Sequence, residues 1–244
     1  MGNSNTQGTT QSENDQNQPT QGINRIEKTI INSFTDYQEL LEQKDVHNQV
    51  TNLDLFLSAS AIGDDQAQVL VDGFKLFPQL NKLRLAICNH KLTENGIKTI
   101  FDSVKTLSKL SEFALEIEQF LEELQIGENG AMHISEALKC LSPSLNNLKL
   151  WIGSNKITGN GAKHIFESIK SLSQLQILEL NLTGNQIGND EGKSLVEIIE
   201  SLSQLKKFNL WIKYNEIERE TRQWMKESLE KLQTKGIDMN VLQI

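Results

Sequence analysis

The segment LKLWIGSNKITGNGAKHI, residues 148–165, changes its period half way along. Leu148, Leu150 and Ile152 are apolar at alternate positions, as in a strand with one buried face, and Trp151 stands between them on the opposite face. Asn155 and the glycines at 159 and 161 interrupt the pattern. Beyond them Ala162, Ile165, Phe166, Ile169 and Leu172 follow the i, i+3, i+4 spacing of a helix. One strand, one turn and one helix therefore occupy about thirty residues.

The unit recurs. LDLFL begins at Leu53, LRLAI at Leu83, FALEI at Phe113, LKLWI at Leu148, LELNL at Leu178 and FNLWI at Phe208, at intervals of 30, 30, 35, 30 and 30 residues. An eroded copy, IDMNV, begins at Ile237. In the fifth unit Leu195, Ile198, Ile199 and Leu202 repeat the helical spacing, and SLSQL leads out of the helix at both 171–175 and 201–205. A strand followed by a crossover helix implies a right-handed connection and a parallel sheet. The predicted fold is α/β: a solenoid, or horseshoe, with an inner parallel β-sheet and outer helices, about six repeats of 30 residues plus caps.

LELNLTGNQIGNDEG at 178–192 and LKLWIGSNKITGNGA at 148–162 resemble leucine-rich repeats of the ribonuclease-inhibitor type, which Ran GTPase-activating proteins share. That type has a short strand, an Asn, an aliphatic residue and a Gly before a full helix. The resemblance covers roughly residues 50–244 and implies a fold far more than a function. Asn155, Asn185 and Asn215 each fall seven residues after their strand start. A buried Asn there satisfies backbone groups where the chain bends away from the sheet, groups that would otherwise cost ~1–3 kcal/mol each. Ile157, Ile187 and Ile217 then turn back into the core. The matching positions in the first three units are Ser60, His90 and Phe120, so the Asn ladder is confined to the C-terminal half.

Outside the repeats, residues 1–22 are expected to be a disordered polar tail, because 1–21 hold no Leu, Ile, Val or aromatic residue. Residues 23–42, with Ile23, Ile26, Ile30, Phe34, Tyr37 and Leu41, read as one or two amphipathic helices within a helical N-terminal cap over 23–50. The repeats run over 51–217. Residues 218–244 are read as a capping helix, with Trp224, Met225, Leu229 and Leu232 inward, followed by the eroded strand.

Net charge is −8, pI is near 5.1 and mean hydropathy is −0.40, which argues against a general nucleic-acid binder. Cys88 and Cys140 are too few for a disulfide framework, and no apolar run reaches the ~20 residues of a membrane span. The expected location is the cytoplasm. MGNSNT matches the N-myristoylation pattern at Gly2, with Thr6 at the hydroxyl position. One acyl chain without a nearby cysteine or basic cluster gives at most weak membrane association.

Stacked strands point their remaining side chains into the hollow of the horseshoe. The fourth strand position gives the column Phe56, Ala86, Glu116, Trp151, Asn181 and Trp211, and the second gives Asp54, Arg84, Ala114, Lys149, Glu179 and Asn209. At ~4.8 Å per strand the two tryptophans are expected roughly 10 Å apart across Asn181. Phe56, Trp151 and Trp211 are candidate anchors for a protein partner, with Arg84, Glu116, Lys149, Glu179 and Asn181 beside them. Alternatively, the indoles cover their neighbours' stems.

The third unit, with its five-residue surplus, carries seven glutamates over 112–136 and no Lys or Arg. Stacking is expected to force the surplus into a bulge where strand meets helix, carrying Glu118, Glu122, Glu123 and Glu128 with Phe120 and Leu121. The bulge either docks a basic partner or is a solvated loop. His133 and His164 occupy matching helix positions without a third ligand and are read as surface residues rather than a metal site. The NLT sequon at 181–183 lies in a strand and is expected to be unmodified.

No phosphate loop, kinase signature or nucleophile elbow is present, so no catalytic residue and no cofactor is assigned. The function read from the sequence is a non-enzymatic, monomeric protein-interaction module that binds on the concave sheet. Similarity to Ran GTPase-activating proteins implies a second reading, stimulation of a bound GTPase from loops at one edge of the horseshoe. Arg84 is the one outward strand arginine, and none stands out as a catalytic finger.

Overall fold

The computed structural model describes residues 28–57, 62–87, 91–117, 125–240 and 242–244. The expectations for the tail, Gly2, Ser60, His90, Phe120, Leu121, Glu118, Glu122 and Glu123 lie outside these residues. Strands β1 (Thr29–Ile31), β2 (Asn52–Phe56), β3 (Lys82–Ala86), β4 (Glu112–Glu116), β5 (Asn147–Trp151), β6 (Ile177–Asn181), β7 (Lys207–Trp211) and β8 (Leu242–Gln243) form one parallel sheet in chain order. Helices α1 (Phe34–Glu42), α2 (Asp64–Phe74), α3 (Glu94–Val104), α4 (Gly127–Leu141), α5 (Gly159–Lys170), α6 (Asn189–Ser201) and α7 (Arg219–Gln233) alternate with them. This is a leucine-rich-repeat-like solenoid. Helices ~10 Å across sit behind strands ~4.8 Å apart, so the helical layer takes the convex side and the sheet the concave one.

Register holds the apolar positions in line. Leu53, Leu83, Phe113, Leu148, Leu178 and Phe208 pair in sequence, as do Leu55, Leu85, Leu115, Leu150, Leu180 and Leu210. All of them are buried, and with the inward faces of the helices they make one continuous core. No described helix is long and apolar enough to cross a membrane.

The units are also tied together by polar bonds. Asp64, in the first turn of α2, accepts hydrogen bonds from the Thr93 N–H at 2.9 Å and the Thr93 hydroxyl at 2.6 Å in the next unit. Glu128 occupies the equivalent place in α4 and accepts from the Thr158 hydroxyl at 2.6 Å. It is therefore a helix-end clamp, not part of a free acidic bulge.

The surplus of the third unit is not confined to the junction of strand and helix. Ten residues separate β4 from α4, against seven between β3 and α3 and between β5 and α5. Helix α4 runs 15 residues against 11 and 12 in its neighbours. A helix tolerates extra residues by projecting along its own axis, so stacking does not confine the insertion to the junction.

The caps differ from their sequence reading. Thr29–Ile31, predicted helical, is a short edge strand whose Ile30 pairs with Asp54 on the open face. Among the described residues of the cap, Phe34–Glu42 forms the one α-helix, opened by Ser33, whose hydroxyl accepts from the Asp36 N–H, and a 3-10 turn follows at Lys44–Val46. Tyr37 is wholly buried and donates to the Leu70 carbonyl at 3.1 Å, and burial pushes its hydroxyl pKa well above the ordinary value. Gly73 makes that fit possible, since a Cβ there lies 2.0 Å from the Tyr37 oxygen.

At the far end, Asp238 pairs with Lys207 and Leu242 with Leu210, so the closing strand is Leu242–Gln243 and not the 237–241 read from the sequence. Met225, Leu229 and Leu232 face the core, whereas Trp224 is 41% exposed and does not. His133, read as a surface residue, is buried.

Candidate interaction surface

The alternation that buries Leu148 and Leu150 sends Asn147, Lys149 and Trp151 to the open face, and every strand from β2 to β7 repeats the arrangement. Three columns result. The middle one, Asp54, Arg84, Ala114, Lys149, Glu179 and Asn209, begins with Ile30 on β1. Ala114 alone in that column has no γ atom. A hollow of about 370 Å³ opens above it, walled by Lys82, Arg84, Glu112, Glu116, Lys149 and Trp151.

The charges of this wall satisfy one another. Lys28 pairs with Asp54 at 3.2 Å, Lys82 with Glu112 at 2.6 Å and Lys149 with Glu179 at 3.2 Å. Arg84 Nε donates to Glu116 at 2.9 Å, a second guanidinium N–H reaches the same oxygen, and the cation lies 4.6 Å over the Phe56 ring. Phe56 is thereby roofed by Arg84 and is not a free anchor. Glu179 sits between two lysines, with Lys207 at 3.9 Å, and its side chain is only 10% exposed.

Trp151 and Trp211 are half-buried on the open face. Their ring centroids lie 6.0 Å apart at an interplanar angle of 60°, not the roughly 10 Å expected from strand spacing. The intervening Asn181 is short and its Oδ1 is held by the Thr183 N–H, so the two indoles lean together above it. A tilted pair of this kind presents two ring surfaces at an angle, while the core behind is already filled by Leu150, Leu180 and Leu210.

The turns beyond the strands carry the Asn ladder. Asn155 Nδ2 donates to the carbonyls of Ile117 and Gly153, both at 2.8 Å. Asn185 donates to Ile152 and Leu182 and accepts from the N–H groups of Asn155 and Ile157. Asn215 donates to Leu182 and Ile212 and accepts from Ile187. One residue before each Asn the backbone enters the left-handed region, at Ser154 (φ 57°), Gly184 (φ 70°) and Tyr214 (φ 59°). The sequence reading passed over Tyr214, which is 81% exposed. Its alignment with Gly184 is the signal that marks the position as strained for a bulky side chain.

No family model and no curated protein matches the chain. Among solved structures, a crystal structure of a Bacteroides fragilis protein is similar at 14% identity and TM-score 0.52, covering 91% of this chain and 68% of its own. A structure of leiomodin-1 actin-binding site 2 is similar at 17% identity and TM-score 0.43, covering 70% of this chain and 92% of its own. The first is a likeness of fold alone, and at its score the second bears on neither fold nor partner.

Proposed function

We propose that the chain is a non-enzymatic protein-interaction module that docks a protein partner on the concave face of its sheet. The observation that carries this reading is the tilted Trp151–Trp211 pair, two large aromatic side chains placed together on a surface that the core does not require. Units 4–6 further fit the ribonuclease-inhibitor repeat type, on the strand, Asn and full-helix order already described. Cytoplasmic location and acylation of Gly2 belong to the same reading, and intact mass of protein from its native host tests the latter. The GTPase-activating alternative loses support from the placement of Arg84, which is engaged by Glu116 and Phe56 rather than free at a loop edge.

The test is Trp151→Ala with Trp211→Ala. The double variant is expected to lose the partner recovered by affinity purification from the native host while keeping its circular dichroism spectrum. Unfolding of the double variant, or undiminished capture, refutes the anchor role.

A further inference from the structure

The two halves of the concave wall differ in the charge they leave accessible. In the N-terminal half each cation on the wall has its own carboxylate partner. In the C-terminal half Lys149 and Lys207 share Glu179, whose side chain is 10% exposed against 40% and 35% for the two lysines. Cations are the more exposed partners in both halves, but here two of them share one carboxylate, so one positive charge is left over. Lys213 adds a third exposed cation at the end of the same wall, with no ion-pair partner among the described residues. Lys149 lies two residues before Trp151 on the open face of β5, and Lys207 and Lys213 lie on either side of Trp211 along the chain, in a protein whose net charge is −8.

Tyr214 supplies the second, independent observation. The turns at 153–155, 183–185 and 213–215 stack through Ser154 N–H to Thr183 O at 2.8 Å and Gly184 N–H to Lys213 O at 2.9 Å. They form the rim at the C-terminal ends of the strands. The middle position of each turn has positive φ, which Gly184 adopts freely and Tyr214 does not. An aromatic ring that is 81% exposed returns nothing to the core for that strain. Strain held without a folding benefit marks functional positions.

We propose that the C-terminal half of the concave wall, with Tyr214 on its rim, binds an acidic segment of a protein partner. The partner's carboxylates meet Lys149, Lys207 and Lys213, and its apolar groups meet the three aromatic rings. This assignment rests on the concave face being the docking wall and adds the partner's chemistry and a further anchor.

The full chain is screened against a display library of random peptides of roughly a dozen residues, about 40 Å when extended. Selected peptides are titrated by tryptophan fluorescence. The enriched sequences are expected to carry net negative charge. Their affinity is expected to fall by about tenfold or more in Tyr214→Asn and in Lys213→Glu, and to weaken as salt rises from about 0.05 to about 0.5 M. Tyr214→Asn, which tolerates the left-handed backbone, is expected to unfold at the same or a higher urea concentration. Neutral or basic peptides, no enriched peptide at all, preferential binding of a polyuridylate strand, or unchanged affinity in Tyr214→Asn overturns the proposal. Acidic peptides that depend on Tyr214 and Lys213 but not on the two tryptophans uphold the acidic partner and the rim anchor, and overturn both the tryptophan anchors and the contact of the partner's apolar groups with those two rings. Peptides that depend on the tryptophans with no acidic bias do the reverse.

Discussion

Asn185→Ala tests whether the ladder holds the C-terminal units in register. The Asn185 amide donates to Ile152 O at 3.1 Å and Leu182 O at 3.0 Å, and its oxygen accepts from Asn155 N at 3.1 Å and Ile157 N at 3.0 Å. The residue is 5% exposed, so water does not readily replace it. Four net hydrogen bonds at ~1 kcal/mol each suggest a loss of about 4 kcal/mol. Leu182 O keeps a second donor in Asn215, at 2.9 Å, which trims the figure to about 3 kcal/mol.

Asn215 makes a comparable set of bonds but is the outermost rung and only partly buried. Water takes over some of its partners, so Asn215→Ala should cost about 1–2 kcal/mol. Urea denaturation, followed by far-ultraviolet circular dichroism, measures both. A fall in midpoint with unchanged slope reports lost stability. A reduced slope reports that the terminal units have come away from the rest, as a one-dimensional array permits. The reasoning is refuted if Asn185→Ala costs less than about 1 kcal/mol or no more than Asn215→Ala.

Two further outcomes follow from the N-terminal cap. Gly73→Ala, which at an exposed helical site would stabilise, should here destabilise by about 1–3 kcal/mol, because its Cβ falls 2.0 Å from the buried Tyr37 oxygen; thermal melting checks the sign. Desolvation, with Asp72 adding to it, raises the folded pKa of Tyr37 above its unfolded value near 10.0. The neutral hydroxyl therefore contributes stability that is complete below pH ~10 and declines above it, by up to ~1.4 kcal/mol per pH unit. Tyr37→Phe should start lower, through loss of the Leu70 bond, and decline less steeply than wild type in urea titrations over that range.

The fold was legible because it is written seven times over: alternation in Leu148, Leu150 and Ile152 is weak alone and decisive when repeated in register. The same logic marked Asn155, Asn185 and Asn215. Features without a repeat were misread. Ile30 fits a helical spacing with Ile23 and Ile26, yet three residues of strand need only a partner edge, which β2 supplies through tertiary pairing. The length of α4 depends on how far a helix projects past its neighbours, which periodicity does not report. On the open face, Lys82 and Glu112 occupy the same position in consecutive units and were readable as a pair. The Arg84–Glu116 bond runs diagonally between columns, and the lean of Trp151 onto Trp211 depends on rotamers, so neither had a sequence signal. Tyr214 had one, its alignment with Gly184, but only when backbone conformation is considered along with side-chain type.

Pairing within the wall decides where binding energy resides. Arg84 is committed twice, to Glu116 and to the Phe56 ring, and its carboxylate partner is half-buried. A partner that recruited Arg84 would have to replace both contacts, leaving little net gain. The pair should instead act in folding: partly exposed ion pairs contribute ~0–1 kcal/mol, and the cation–π contact adds ~0.5–1 kcal/mol. A double-mutant cycle on Arg84→Ala and Glu116→Ala should therefore show a folding coupling of up to about 1 kcal/mol, while either single variant leaves the affinity of a selected peptide within about threefold of wild type. Substitutions at Trp211, Lys213 or Tyr214 should show the opposite balance, large in affinity and small in stability. If Arg84→Ala abolishes binding, the docking site extends over the Ala114 hollow, and its charges are broken and remade by the partner rather than spent on one another.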